Sequence, residues 1–260
     1  MVKKVRIPKG SHYITRDVPQ DWQSVHRKPK HKLLIFKALL TDDVETAICA
    51  GFDISTPVYK AMDSMDAAAL YGLLKPLLKA SAVPIVERID FQGVAYWMPL
   101  EAFNDGTGIQ FALADSFLKQ YLETQADSRL ACLVATILRP KTTDLQLEIR
   151  SREQVEAESI ALSKLPMEVS MMVLTYFLGV KQLVADWYGD YAFGDEETEC
   201  LETMHFPKFG WWGLFNSIAE TGVFGTYIQV LQTPLHRLMM HTVETRRKAL
   251  EIKALSSVKT

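Results

Sequence analysis

Apolar positions recur with a helical period over most of the chain and with a period of two over one short stretch. Leu33, Phe36, Leu39, Leu40, Val44 and Ile48 approximate the spacing of one helix face, which predicts a helix from Leu33 to Ala50 that Gly51 stops. A second is predicted from Thr56 to Lys79, broken near Gly72 or Pro76. The period changes at Pro84. Ile85, Glu87, Ile89 and Phe91 alternate, Gln92-Gly93 supplies a turn, and Val94, Tyr96 and Met98 continue the alternation, so a hairpin is predicted over 85–98. Helical spacing returns with Phe111, Ala114, Asp115, Leu118 and Leu122. Leu130, Leu133, Val134, Ile137 and Leu138 then form a stripe that Arg139-Pro140 ends. A polar helix follows from Arg150 to Lys164, and Pro166 opens the next one. The uncharged run Val169 to Val180 is about 12 residues long, against roughly 20 for a membrane span, and predicts a central core helix with Met167, Met171 and Met172 as gap fillers. Towards the C-terminus the pattern predicts helices over Trp211 to Glu220, Val223 to Leu231 and Leu235 to about Leu255. Thr233 caps the last of these and Pro234 opens it.

These elements define a mainly α protein with one small β-hairpin or short sheet, α+β in class, with a helical bundle-like core and a C-terminal helical extension. The expected organisation is a basic extended arm over 1–17, a main helical domain over 18–188, an acidic linker over 189–203 and an aromatic-rich extension over 204–260. Trp22, within Val18-Pro19-Gln20-Asp21-Trp22, is expected to plug the core of the first helical region.

The formal charge of −2 argues against a general nucleic-acid binder, but the charges are unevenly spread. Ten Lys and Arg face two Asp from Met1 to Lys37, while six carboxylates and no Lys or Arg lie between Gly189 and Glu202. The first is a solvated terminus or a docking arm for an acidic partner or phosphate, and the second reads as a solvated linker. Immediately after it, Phe206, Phe209, Trp211, Trp212 and Phe215 fall within ten residues. Such a density of aromatic surface either plugs a seam in the core or anchors a partner. With Arg246 and Arg247 on the last helix, these are the candidate protein-binding residues.

Motifs for chemistry are sparse. Cys49, Cys132 and Cys200 are odd in number and far apart, which does not suggest a disulfide framework. His26 and His31, like His236 and His241, are five apart and so do not share the helical ridge that paired metal ligands need. No nucleophile elbow or phosphate-loop motif is present; Gly106-Thr107-Gly108 lacks a third glycine and a following lysine and reads as a plain loop. The N-terminus, MVKKVRIPKG, has no apolar h-region, so no secretory signal is expected. The expectation is a protein that is not an enzyme and takes no metal or cofactor, with an enzyme of dispersed site as the alternative from another class.

Four pieces in a shared order resemble tail assembly chaperones of phages and prophages of the Bacteroidetes. They are Val18-Pro19-Gln20-Asp21-Trp22; the hairpin Ile89-Asp90-Phe91-Gln92-Gly93-Val94-Ala95-Tyr96 leading into Thr107 to Ala114; the leucine-rich helix Leu130 to Pro140; and the apolar helix with Tyr176-Phe177 between Leu165 and Gly179. The similarity covers roughly residues 18–190. It implies a non-enzymatic role: binding another tail or virion structural protein in the host cytoplasm during assembly, with no nucleic acid or membrane partner. Self-association through the opposed charges is compatible with that role. A permanent virion subunit, such as a connector, tail or baseplate component, is the alternative within the class.

Overall fold

A computed structural model describes residues 4–9, 12–25, 29–141, 149–192 and 210–257. In chain order its elements are β1 (Lys4–Lys9), β2 (His12–Asp17), α1 (Pro29–Leu40), α2 (Val44–Phe52), α3 (Thr56–Lys60), α4 (Ser64–Leu74), β3 (Arg88–Phe91) and β4 (Val94–Trp97). They continue with α5 (Gly108–Thr124), α6 (Asp127–Ile137), α7 (Arg152–Leu162), α8 (Met167–Ala192), α9 (Gly210–Glu220), α10 (Tyr227–Gln232) and α11 (Leu235–Ser257). The protein is therefore mainly α, with two small antiparallel hairpins among the described residues, the α+β class that the periodicity predicts.

The chain divides into two compact units, Met1–Met98 with Leu165–Gly179, and Pro99–Lys164 with Val180–Thr260. This differs from the expected division at 188 and 203. The last three helices contribute Leu214, Phe215, Ile218, Val230, Leu235, Leu238 and Met239 to the buried interior of the second unit, so they are part of its core and not an appended extension. Of the acidic linker, 189–192 belong to α8, and 193–203 lie outside the described residues.

In the first unit the basic arm is a hairpin, not an extended segment. β1 pairs with β2 in antiparallel register, Ile7 opposite Ile14, and Ile7 is fully buried. Arg16 extends from β2 to donate to the Phe52 carbonyl at 3.0 Å, placing a cation at the C-terminal carbonyls of α2, where the helix dipole favours it. The helix predicted over 33–50 is two helices. Asp42 takes a left-handed φ of 51°, and the Asp43 side chain accepts from Thr46 N–H at 3.1 Å to cap α2. α2 runs past Gly51 and stops at Asp53, which is left-handed with φ 56°. The stretch 56–79 divides into α3, α4 and a 3₁₀ turn at Lys75–Leu78, the last at the predicted Pro76 break. Trp22 is buried as expected, and its indole N–H donates to the Leu77 carbonyl at 2.8 Å. The 88–97 hairpin has the predicted turn, with Ile89 opposite Tyr96 and both buried.

In the second unit α5 and α6 are buried over most of their lengths, and Ser151 with Gln154 forms a reciprocal capping box at the start of α7. The Gly106-Thr107-Gly108 loop seats the start of α11. Gly108 N–H donates to the Thr233 carbonyl at 3.0 Å, and Leu235 N–H donates to the Gly106 carbonyl at 2.9 Å. A Cβ on Gly106 would lie 2.1 Å from the Phe103 ring, so a side chain is excluded there. The apolar run after Glu168 lies in α8. The helix continues well beyond Val180, and Val169, Met172, Val173, Tyr176, Phe177, Val180 and Val184 are buried. Among the described residues it is the one helix long and apolar enough to cross a membrane, over Met167–Gly189 with mean hydropathy 1.3, and half of that window is buried.

Candidate protein-binding site

Thr107 caps α5 and sets the phase of the helix that follows. That phase puts Phe111, Asp115 and Lys119, four residues apart, on one ridge. The carboxylate of Asp115, only 3% exposed, gathers three partners from three helices. Lys119 Nζ lies 3.0 Å from Oδ2, Lys181 on α8 pairs with Oδ1 as an ion contact, and the Trp211 indole N–H donates to Oδ2 at 3.2 Å. The Trp211 ring stands edge-to-face against Phe111 at 4.7 Å between centroids, an arrangement aromatic quadrupoles favour.

Beside this cluster is a pocket of about 370 Å³, lined by Phe111, Asp115, Lys119, Lys181, Val184, Ala185 and Trp211. Its carbon walls come from α5, α8 and α9, and its polar edge from the two lysines. Burying a carboxylate is costly unless it is paired and hydrogen-bonded, and here the pairing fixes the seat of Trp211. The side chain that the sequence singled out for its aromaticity is thus held in place by a residue on α5 that the sequence showed only as a helical position.

The other candidates separate. Phe215 is fully buried on α9 and belongs to the core. Trp212 is half-buried. Phe206 and Phe209 lie outside the described residues, as do Cys200, His26 and His205. Arg247 is held within α11 by Glu244 at 3.1 Å and Glu251 at 2.8 Å, which neutralises it along its own helix; Arg246 is half-buried. The second half of α11 is largely exposed, with Ile252 and Leu255 each 68% accessible. Val223, in the turn after α9, and Ile228, on α10, are also exposed.

Two further polar clusters are closed arrangements. His236 Nε2 meets the Ala102 carbonyl, which can only accept, so Nε2 carries the proton and Nδ1 accepts from the Tyr188 hydroxyl at 2.9 Å. Burial pushes the Tyr188 phenol up. This chain secures Ala102, whose φ of 58° is left-handed, and uses both ring nitrogens in doing so. In the first unit, His31, Glu45, Cys49 and Asp53 help line a pocket of about 330 Å³. Burial first, and the Glu45 carboxylate second, push the Cys49 thiol up, which keeps it in the less nucleophilic protonated form. Among the described residues no group of three or more His, Cys, Asp or Glu is placed to hold a metal ion. Neither a family model, a curated protein nor a solved structure matches the chain.

Proposed function

We propose that the chain is a non-enzymatic phage assembly protein of the tail assembly chaperone kind, which binds another tail or virion structural protein in the host cytoplasm. The observation that supports this reading is the Trp211 pocket, an aromatic- and aliphatic-walled recess whose shape is held by the ion pairs of buried Asp115. A half-buried tryptophan that is seated before any partner arrives loses little freedom on binding, which is the profile of an interface anchor. The order of motifs from Val18 to Gly179 supplies the phage assembly part of the reading.

The test is co-elution of the purified chain with purified tail and virion structural proteins, wild type against Trp211→Ala. α9 stays anchored by Leu214, Phe215 and Ile218, so the variant is expected to fold and to bind about thirtyfold more weakly, the loss of roughly 2 kcal/mol at an interface anchor. Equal binding by the two proteins contradicts the reading. Quantifying the chain in an assembling lysate and in mature particles then separates a transient chaperone, absent from particles, from a permanent subunit with a fixed copy number.

A further inference from the structure

We infer that the Trp211 pocket is selective for an amphipathic carboxylate: a partner segment in which an acidic residue adjoins an apolar or aromatic one. The inference rests on the protein-binding reading above and adds the chemistry of the bound segment. Among the described residues one carboxylate, Asp115, faces two ammonium groups, so this set carries one surplus positive charge at the edge of the pocket. Each ammonium has three N–H donors and directs only part of that capacity at Asp115. Lys181 has a side chain 33% exposed and Lys119 one 62% exposed, so both can turn donors towards a ligand at the rim. The opposite walls are Phe111, Val184, Ala185 and Trp211, which offer carbon and no charge.

That juxtaposition selects on two criteria. An apolar group gains by covering the accessible Trp211 and Ala185 surface, and an adjoining carboxylate gains charge-assisted hydrogen bonds from the lysines. A cationic anchor meets the surplus charge of its own sign. A bare hydrated anion such as inorganic phosphate meets the lysines but gains nothing from the walls. The volume, about 370 Å³, lies near the lower end of small-ligand pockets and suits one large side chain with its neighbouring acid.

The experiment titrates 3-phenylpropionate and its uncharged analogue 3-phenylpropanamide into the full chain, following the Trp211 indole resonance and ligand saturation transfer by NMR. The expected result is saturable binding of the acid, with the amide about five- to tenfold weaker. Lys119→Met and Lys181→Met, made singly so that Asp115 keeps one ammonium, are each expected to erase most of the preference for the acid and leave the amide unchanged. Trp211→Ala weakens both ligands. Equal affinity for acid and amide, acid binding indifferent to both lysine variants, or displacement of the acid by inorganic phosphate at similar concentration each overturns the inference. Because these titrations need no partner, they are independent of the co-elution test. An acid-selective pocket in a chain that binds no structural protein defeats the assembly reading alone, and a chain that binds one while its pocket ignores charge defeats the inference alone.

Discussion

A methyl group added to Gly179 would lie 2.1 Å from the backbone carbonyl carbon of Ser81, whereas one added to Gly72 would meet nothing within 4 Å. Both glycines sit within helices, so their substitution by alanine separates packing from propensity. Gly72→Ala is expected to stabilise by about 0.5–1 kcal/mol, the usual gain of alanine over glycine in a helix. Gly179→Ala is expected to destabilise by about 3 kcal/mol, because backbone cannot move aside as a side-chain tip can. Urea unfolding of the two variants checks both signs. Asp115 is the other residue on which much depends. Asp115→Asn keeps an acceptor for the Trp211 indole but leaves Lys119 and Lys181 without their counter-charge. Since both lysines reach solvent, the expected cost is about 1–3 kcal/mol, below that of a fully buried broken pair. Its spacing sets Asp115 in the apolar stripe of α5 with Phe111, Ala114 and Leu118, which marks a buried charge but does not name its partners. Its role depends on α8 and α9 arriving from 66 and 96 residues away, as the Lys181 and Trp211 contacts show.

The elements themselves were legible wherever period and punctuation agree. The 88–97 hairpin, α5, α6, and the start of the last helix after Thr233-Pro234 follow directly from period and punctuation. The breaks inside 33–50 and 56–79 were harder to see, because apolar spacing carries across a cap. Asp43 and Asp63 stop one helix and start the next through a side-chain acceptor without interrupting the stripe. The N-terminal hairpin was hidden by Pro8 and by the density of charge, although it sets buried Ile7 opposite half-buried Ile14. Two titrations test these junctions. The Asp43 carboxyl is held below the usual carboxylate range by its hydrogen bonds from Thr46. A depressed value means that the cap stabilises above pH of about 4 and loses this contribution as pH falls through the folded-state value. Asp43→Asn, which caps without titrating, should lack that part of the acid dependence in thermal melts, and Asp43→Ala should cost about 1 kcal/mol at neutral pH. On the alkaline side, the Tyr71 hydroxyl donates to Asp42 at 2.8 Å, and burial first, then that hydrogen bond, push it up to about 12. A raised value means that the contribution is complete below pH of about 10 and is lost as pH rises towards 12. Tyr71→Phe should remove that alkaline loss.

For the whole molecule, the chain order conceals the division into units. The second unit is built from 99–164 and 180–260, and the boundary at 179–180 falls inside α8, so composition shifts along the sequence do not mark its limits. The acidic run suggested a linker and hence a detached extension, yet the helices after it bury Phe215, Leu235 and Leu238 in the same core as Phe111 and Phe117. The aromatic cluster therefore divides: Phe215 is interior, and Trp211 is a wall of the pocket. The most direct test of the protein-binding account is a photo-crosslinking side chain placed at Ala185, an exposed position lining that pocket, in cells assembling phage particles. The account predicts adducts with one tail or virion structural protein, lost when Trp211→Ala is added and absent when the same group is placed at exposed Ile160. Adducts that are the same from both positions, or none from Ala185, would contradict it.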